Sequence, residues 1–343
     1  LKDQLICSPK RFHCIEYDEI LRKKIFHSSN LNTQSFFEFN HEIGKWISEK
    51  VRPFLKNEEI DFISYHGHTV FHEPSKGFSI QLGDAESISQ SLNIPVISDF
   101  RNADIKLGGQ GAPLVAVGER DIYPQYDAFL NFGGICNISY GFNDNIKAFD
   151  IGPFNLLLNE LSQLAGKTFD DKGAIAKGGK INLDLLDLMN GLEYFQVPGP
   201  KSIDRVWFES NYLKIITDFK EKIETKDLLR TAVEHLSIII SDVLNKNLLE
   251  NSKVLISGGG AYNSFLLERL NHYTNHDLII PEKNIIEYKE AIIFAYLGLL
   301  RILNRKNCLA SVTGAIKDSS GGIIYGNTEK LNRKINVEAF KKI

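Results

Sequence analysis

The chain has 343 residues, with 40 Lys+Arg against 43 Asp+Glu, 24% charged and 43% hydrophobic residues. That length suits two domains with a sizeable core, and the composition excludes a largely disordered chain. The slightly acidic balance excludes the basic field that nucleic-acid binding needs, and the longest apolar run, Ala291–Leu300, is too short for a membrane helix.

Leu1-Lys2-Asp3-Gln4 opens polar, so no signal peptide is expected and a cytoplasmic setting follows. Cys7, Cys14, Cys136 and Cys308 lie far apart with no CxxC, a pattern that fits neither a zinc site nor a disulfide framework. Residues 1–25 mix charge with short β-prone runs, Gln4–Cys7 and Phe12–Tyr17 reading as strands. From Asn40 to Leu55 the apolar positions Ile43, Trp46, Ile47, Val51 and Leu55 recur at helical spacing. Ile60–Tyr65 reads as a strand ending in the loop His66-Gly67-His68-Thr69. A helix over Ala85–Leu92 leads to the strand Ile94–Ser98 and then Asp99-Phe100-Arg101. Gly108-Gly109-Gln110-Gly111-Ala112-Pro113 reads as a hinge or interdomain passage.

Strand Ala128–Phe132 then runs into Gly133-Gly134, and strand Ile146–Phe149 into Asp150-Ile151-Gly152-Pro153. A helix near Leu228–Leu249 precedes the strand Lys253–Ser257, which empties into Gly258-Gly259-Gly260. A further helix covers Glu290–Leu303, with Glu290 in its first turn. Strands alternating with helices, with glycine-rich loops after the strands, predict an α/β fold with its site at strand ends. The expected domains are 1–120, 121–305, and a segment 306–343 that returns to the first. The basic residues Lys330, Arg333, Lys334, Lys341 and Lys342 read as a solvated end.

Each motif admits a plain reading and a chemical one. The three glycines after Lys253–Ser257 form either a tight strand-to-helix turn or a place where backbone amides approach a phosphate or ribose. Gly133-Gly134 reads as a hairpin turn able to do the same. Asp150 is either a helix cap or a partly desolvated carboxylate acting as a general base. His66, His68, His72 and Glu73 invite a metal reading, but Gly67 favours a loop that contacts substrate or supports structure. Arg101 either clamps an acid or sugar or forms an internal ion pair.

Several of these segments, taken in order, resemble one family. They are His66-Gly67-His68-Thr69-Val70, Gln81-Leu82-Gly83-Asp84, Asp99-Phe100-Arg101, Gly108 to Val115 and Phe149-Asp150-Ile151-Gly152-Pro153-Phe154-Asn155. Pro200-Lys201-Ser202, Ser257 to Asn263, Glu290-Ala291 and Ser311 to Ala315 complete the set. From His66 to Tyr325 the chain is similar to anhydro-N-acetylmuramic acid kinase, of the sugar kinase/Hsp70/actin superfamily. The resemblance implies a two-domain α/β fold with ATP and substrate in an interdomain cleft, Mg²⁺ as cofactor, and a homodimer. It implies a reaction of cell-wall recycling. Water and ATP open 1,6-anhydro-N-acetylmuramic acid and phosphorylate it to N-acetylmuramic acid 6-phosphate. By the same resemblance Asp150 is the base on water, and Thr69, Arg101, Asn155 and Glu290 contact substrate. Gly133, Gly134, Asn137, Gly258, Gly259, Gly260 and Asn263 line the nucleotide.

The family opens on a hairpin of the form MSGTSxDG that grips phosphates, and nothing in residues 1–60 matches it. With the chain beginning on leucine, the first strands of domain one are expected to be missing. The chain as written is then expected to transfer phosphate poorly, because one lost donor of this kind costs ~10²–10³ in rate. A non-catalytic sugar-binding relative and another sugar kinase of the superfamily are the alternatives.

Overall fold

A computed structural model describes residues 7–55, 58–141, 145–199, 201–203, 205–328 and 331. The chain divides into two units, Leu1–Tyr123 with Glu290–Ile343, and Pro124–Lys289. In the first unit Asp18 caps a helix, Glu19–Phe26, by accepting from the Leu21 amide at 2.8 Å. The expected strand Phe12–Tyr17 is irregular backbone, and side-chain packing holds part of this segment. Tyr17 packs on Trp46 and Arg11 lies over Phe54, both on the next helix. The Gln4–Ile6 part of the other expected strand lies outside the described residues.

That next helix is Thr33–Leu55, two turns longer than its apolar spacing from Asn40 indicates. Asn32 caps it through the Ser35 amide, and Phe36 and Phe39 extend the buried stripe that Ile43 continues. Strand β1 (Ile63–Ser64) is shorter than the expected Ile60–Tyr65 and pairs in parallel with β4 (Val96–Ser98). Between them, β2 (His68–Glu73) and β3 (Phe78–Leu82) form an antiparallel hairpin. His68 and Thr69 therefore open a strand rather than close a loop. The helix Ala85–Leu92 has the predicted bounds and is capped by Asp84.

Gly108–Pro113 is not an interdomain passage, because it lies within the first unit and is pinned there. The Asp104 carboxylate, fully buried, accepts from the Gly111 amide at 2.8 Å and from the Thr313 hydroxyl at 2.7 Å. The Gln110 amide donates to the Thr313 carbonyl.

The second unit is built on a five-stranded sheet in the order β7-β6-β5-β8-β9. Its strands are β5 (Ala128–Phe132), β6 (Ile135–Tyr140), β7 (Lys147–Pro153), β8 (Lys253–Ser257) and β9 (Asp277–Ile279). The bounds of β5 and β8 are as predicted, and these two apolar strands run parallel at the sheet centre. The helix Thr225–Asn247 buries Leu229, Leu236 and Ile240 in one core with Leu130, Ile138 and Ile256. Helices Asn155–Leu164 and Ser264–Tyr273 add Leu157, Leu161, Leu266 and Leu270 to it.

The last long helix runs Lys283–Ile302, so Glu290 sits in mid-helix and not in the first turn. Beyond it, β10 (Ile323–Tyr325) returns antiparallel to β4, with Ile324 opposite Ile97. The basic residues from Lys330 to Lys342 lie outside the described residues. Among the described residues no helix is long and apolar enough to cross a membrane.

Candidate active site

Two clusters of expected site residues form, one in each unit. In the second unit the turn Gly133-Gly134 joins β5 to β6. Its carbonyls are spent on the start of the helix Asn155–Leu164. Gly134 accepts from the Phe154 and Leu156 amides at 2.8 and 3.0 Å, and Gly133 accepts from Asn155 at 3.1 Å. Asn155 adds a brace, its side-chain amide donating to the Phe132 carbonyl at 3.1 Å. This helix end is thus closed by protein, and the glycine turn is locked in position.

Gly258, Gly259 and Gly260 follow β8 and are glycines for different reasons. Gly258 has φ +83°, and a Cβ there would lie 2.7 Å from Asn131 Oδ1 and 2.8 Å from the Phe132 carbonyl. A Cβ on Gly260 would strike Phe154, whose ring stacks on Phe132 at 4.4 Å. At Gly259 nothing lies within 4 Å, so only there does the missing side chain open space. Asn263 caps the following helix, its Oδ1 accepting from the Leu266 amide at 3.0 Å.

Asp150 lies midway along β7, opposite Asn137 of β6, and not past the strand end. A register shift beside this pair seats Cys136 opposite Gly152, so Ile151 is the extra residue of a bulge. Bulges re-aim side chains next to sites. Three bonds from residues 194–203 hold Asp150. The Tyr194 hydroxyl donates to its carbonyl at 2.6 Å, its amide donates to the Lys201 carbonyl at 3.0 Å, and the Ile203 amide donates to its Oδ2 at 3.1 Å. The helix-cap reading of Asp150 fails, since the helix amides go to Gly133 and Gly134. Burial pushes the carboxyl up to about 6, against the Ile203 amide, which pulls it down. Tyr194 and Ile203 carry no sequence signal; Lys201 sits in a segment the sequence did single out.

In the first unit Arg101 is gripped from two sides. Its Nε and one terminal nitrogen face His66 Nε2 at 3.2 and 2.8 Å, and the other donates to the Gly111 carbonyl at 2.7 Å. His66 is neutral, lowered to about 4 by burial and then by the Arg101 charge, so its Nε2 accepts. The Phe294 ring packs on His66 at 4.5 Å. Glu290, one helical turn earlier, supports the Arg101 charge that burial opposes. Asp99 is not Arg101's ion partner; it accepts from the Asn102 side chain at 2.7 Å. Thr69 lies on β2 opposite Gln81, next to a register shift. On the same strand His72 is lowered first by burial and then by Arg101, which places that strand beside the arginine.

Among the described residues no group of three or more His, Cys, Asp or Glu is placed to hold a metal ion.

The family description anhydro-N-acetylmuramic acid kinase matches residues 9–327. The anhydro-N-acetylmuramic acid kinase of Vibrio cholerae is 35% identical over 84% of this chain and 82% of its own length. That of Aliivibrio fischeri is 33% identical over 86% and 84%, and that of Pasteurella multocida 32% over 95% and 92%. Among solved structures, the activator of the 2-hydroxyisocaproyl-CoA dehydratase from Clostridium difficile with bound ADPNP covers 58% of this chain and 65% of that one. Its identity is 15% and its TM-score 0.36, too distant to carry an argument. With a family match across nearly the whole chain and relatives at a third identity, this chain belongs to the anhydro-N-acetylmuramic acid kinase family.

Proposed function

We propose that the protein uses ATP and water to convert 1,6-anhydro-N-acetylmuramic acid into N-acetylmuramic acid 6-phosphate, with Asp150 as the base. The observation that carries this reading is the Asp150 carboxyl, buried at a strand bulge and raised to about 6. A carboxylate tuned to that range takes a proton from water near neutral pH and still reacts readily. Water bonds to the anomeric carbon as its proton passes to Asp150. The bond from that carbon to O6 breaks, and O6 bonds to the γ-phosphorus as ADP leaves. Phosphorus receives the leaving oxygen, so no separate acid is needed.

Gly133, Gly134 and Asn137 are proposed to line the phosphates, and Gly258, Gly259, Gly260 and Asn263 the adenosine side. Gly259 has the open space for close approach, while Gly258, Gly260 and Asn263 set the turn. Arg101, preset by neutral His66 and the Gly111 carbonyl, suits the lactyl carboxylate. Thr69, Asn155 and Glu290 are proposed as further sugar contacts. Mg²⁺ arriving with the nucleotide would neutralise developing charge on the phosphates. The two units are proposed as the two domains of the family fold. A cytoplasmic setting and a homodimer belong to the same reading.

Incubation with Mg-ATP and the anhydro sugar, followed by mass analysis, tests it. The expected product has gained one water and one phosphoryl group, and Asp150→Asn lowers its rate of formation by about 10²–10⁴-fold. A product that gains phosphate without water would instead indicate an ordinary sugar kinase.

A further inference from the structure

Beside the Asp150 strand, the second unit holds a groove of about 610 Å³, enough for a small organic ligand. Phe149 and Ile151, the neighbours of Asp150 on β7, give it an apolar floor together with Phe195 and Ile239. Its polar lining is rich in donors. Lys147, Lys201 and Lys246 face one carboxylate, Asp242, which pairs with Lys246 at 3.6 Å.

Asn190 adds another donor. Fully buried His235 is kept neutral by desolvation, so its Nδ1 donates to Asn190 Oδ1 at 2.6 Å and its Nε2 accepts from the Tyr212 hydroxyl. With its oxygen held, Asn190 has its amide nitrogen to offer. Lys201 Nζ gives two of its three N–H groups to the Tyr194 and Val197 carbonyls, at 2.5 and 2.9 Å, and keeps one for a ligand. It is lowered by burial and then by the Lys246 charge, a repulsion that an anion between them would relieve.

We propose that this groove is a second binding site, taking an amphipathic organic anion. An acyl or aryl body lies on the floor, and its carboxylate or phosphate sits among Lys147, Lys201 and Lys246.

One wall of the groove is the segment carrying Phe195, Val197 and Lys201. The same segment makes the Tyr194, Lys201 and Ile203 bonds to Asp150. A ligand bound to that wall favours the conformation it binds, so occupancy holds the Ile203 amide on the carboxylate. An effect on turnover rests on the kinase reading; binding itself does not.

The test is calorimetric titration of the whole protein with octanoate, octyl phosphate, octanol and octyltrimethylammonium. Both anions should bind at one site, about tenfold weaker in the Lys147→Gln, Lys246→Gln double variant, and the other two should not. The tighter anion identifies the head group. Octanol or the cation binding as well as octanoate overturns the proposal, as does anion binding that the double variant leaves unchanged. If neither anion binds and Lys147→Gln alters self-association, the groove is a contact between copies and the proposal also fails. Hydrogen exchange at the Ile203 amide should slow with octanoate; unchanged exchange removes the coupling. Should Asp150→Asn leave turnover intact, the kinase reading falls while these binding results stand.

Discussion

Asp150 carries a desolvation cost in the folded state. Its folded-state carboxyl is raised to about 6 from an ordinary 3.8, chiefly by burial. Between those values the folded state binds more protons than the unfolded one, so stability falls as pH rises through that window. The penalty is complete above about 6 and amounts to at most about 3 kcal/mol. Asp150→Asn, which keeps an acceptor for the Ile203 amide, should therefore unfold at higher urea than the parent at pH 8. The difference should shrink as pH drops toward 4. A variant less stable than the parent at pH 8 would contradict the assigned burial penalty. His66 shows the reverse economy: desolvation keeps it neutral, and a neutral ring is what Arg101 needs as an acceptor.

At the scale of elements, the glycines of the turn after β8 differ in what surrounds them. Gly258→Ala forces a side chain into left-handed backbone against Asn131 and Phe132. It should cost about 1–3 kcal/mol in urea unfolding. Gly259→Ala meets nothing within 4 Å and should keep stability within about 0.5 kcal/mol while weakening nucleotide binding. Equal loss of stability in both variants would remove the distinction. Sequence alone was enough for β5, β8 and the helix Ala85–Leu92, where apolar runs and an Asp cap meet clear turn residues. It was not enough for the β2–β3 hairpin, because His68, Thr69 and His72 break the apolar alternation of a half-buried strand. Nor did it reach the three bonds that bury Asp150, since their partners lie 44 to 53 residues downstream and leave no local pattern. The motif residues were legible as a family set; the environment that tunes them was tertiary.

At the scale of the whole molecule, the first unit is assembled from both ends of the chain. Its β4 is paired by β10, and buried Asp104 is satisfied in part by Thr313. Ending the chain at Lys306 would leave a strand edge unpaired and a buried carboxylate short of a donor. Limited proteolysis of that truncation should consume residues 1–123 well before Pro124–Lys289; equal survival of both would contradict the unit assignment. The second unit has its own core and holds Asp150 and both glycine turns.

The most direct measurement is the pH–rate profile for conversion of 1,6-anhydro-N-acetylmuramic acid under saturating Mg-ATP, with product identified by mass. If Asp150 is the base on water, the rate falls about tenfold per pH unit below an apparent pKa near 6, and Asp150→Asn abolishes that limb along with most of the rate. A profile flat from pH 5 to 8, or a variant that keeps both limb and rate, would contradict the account.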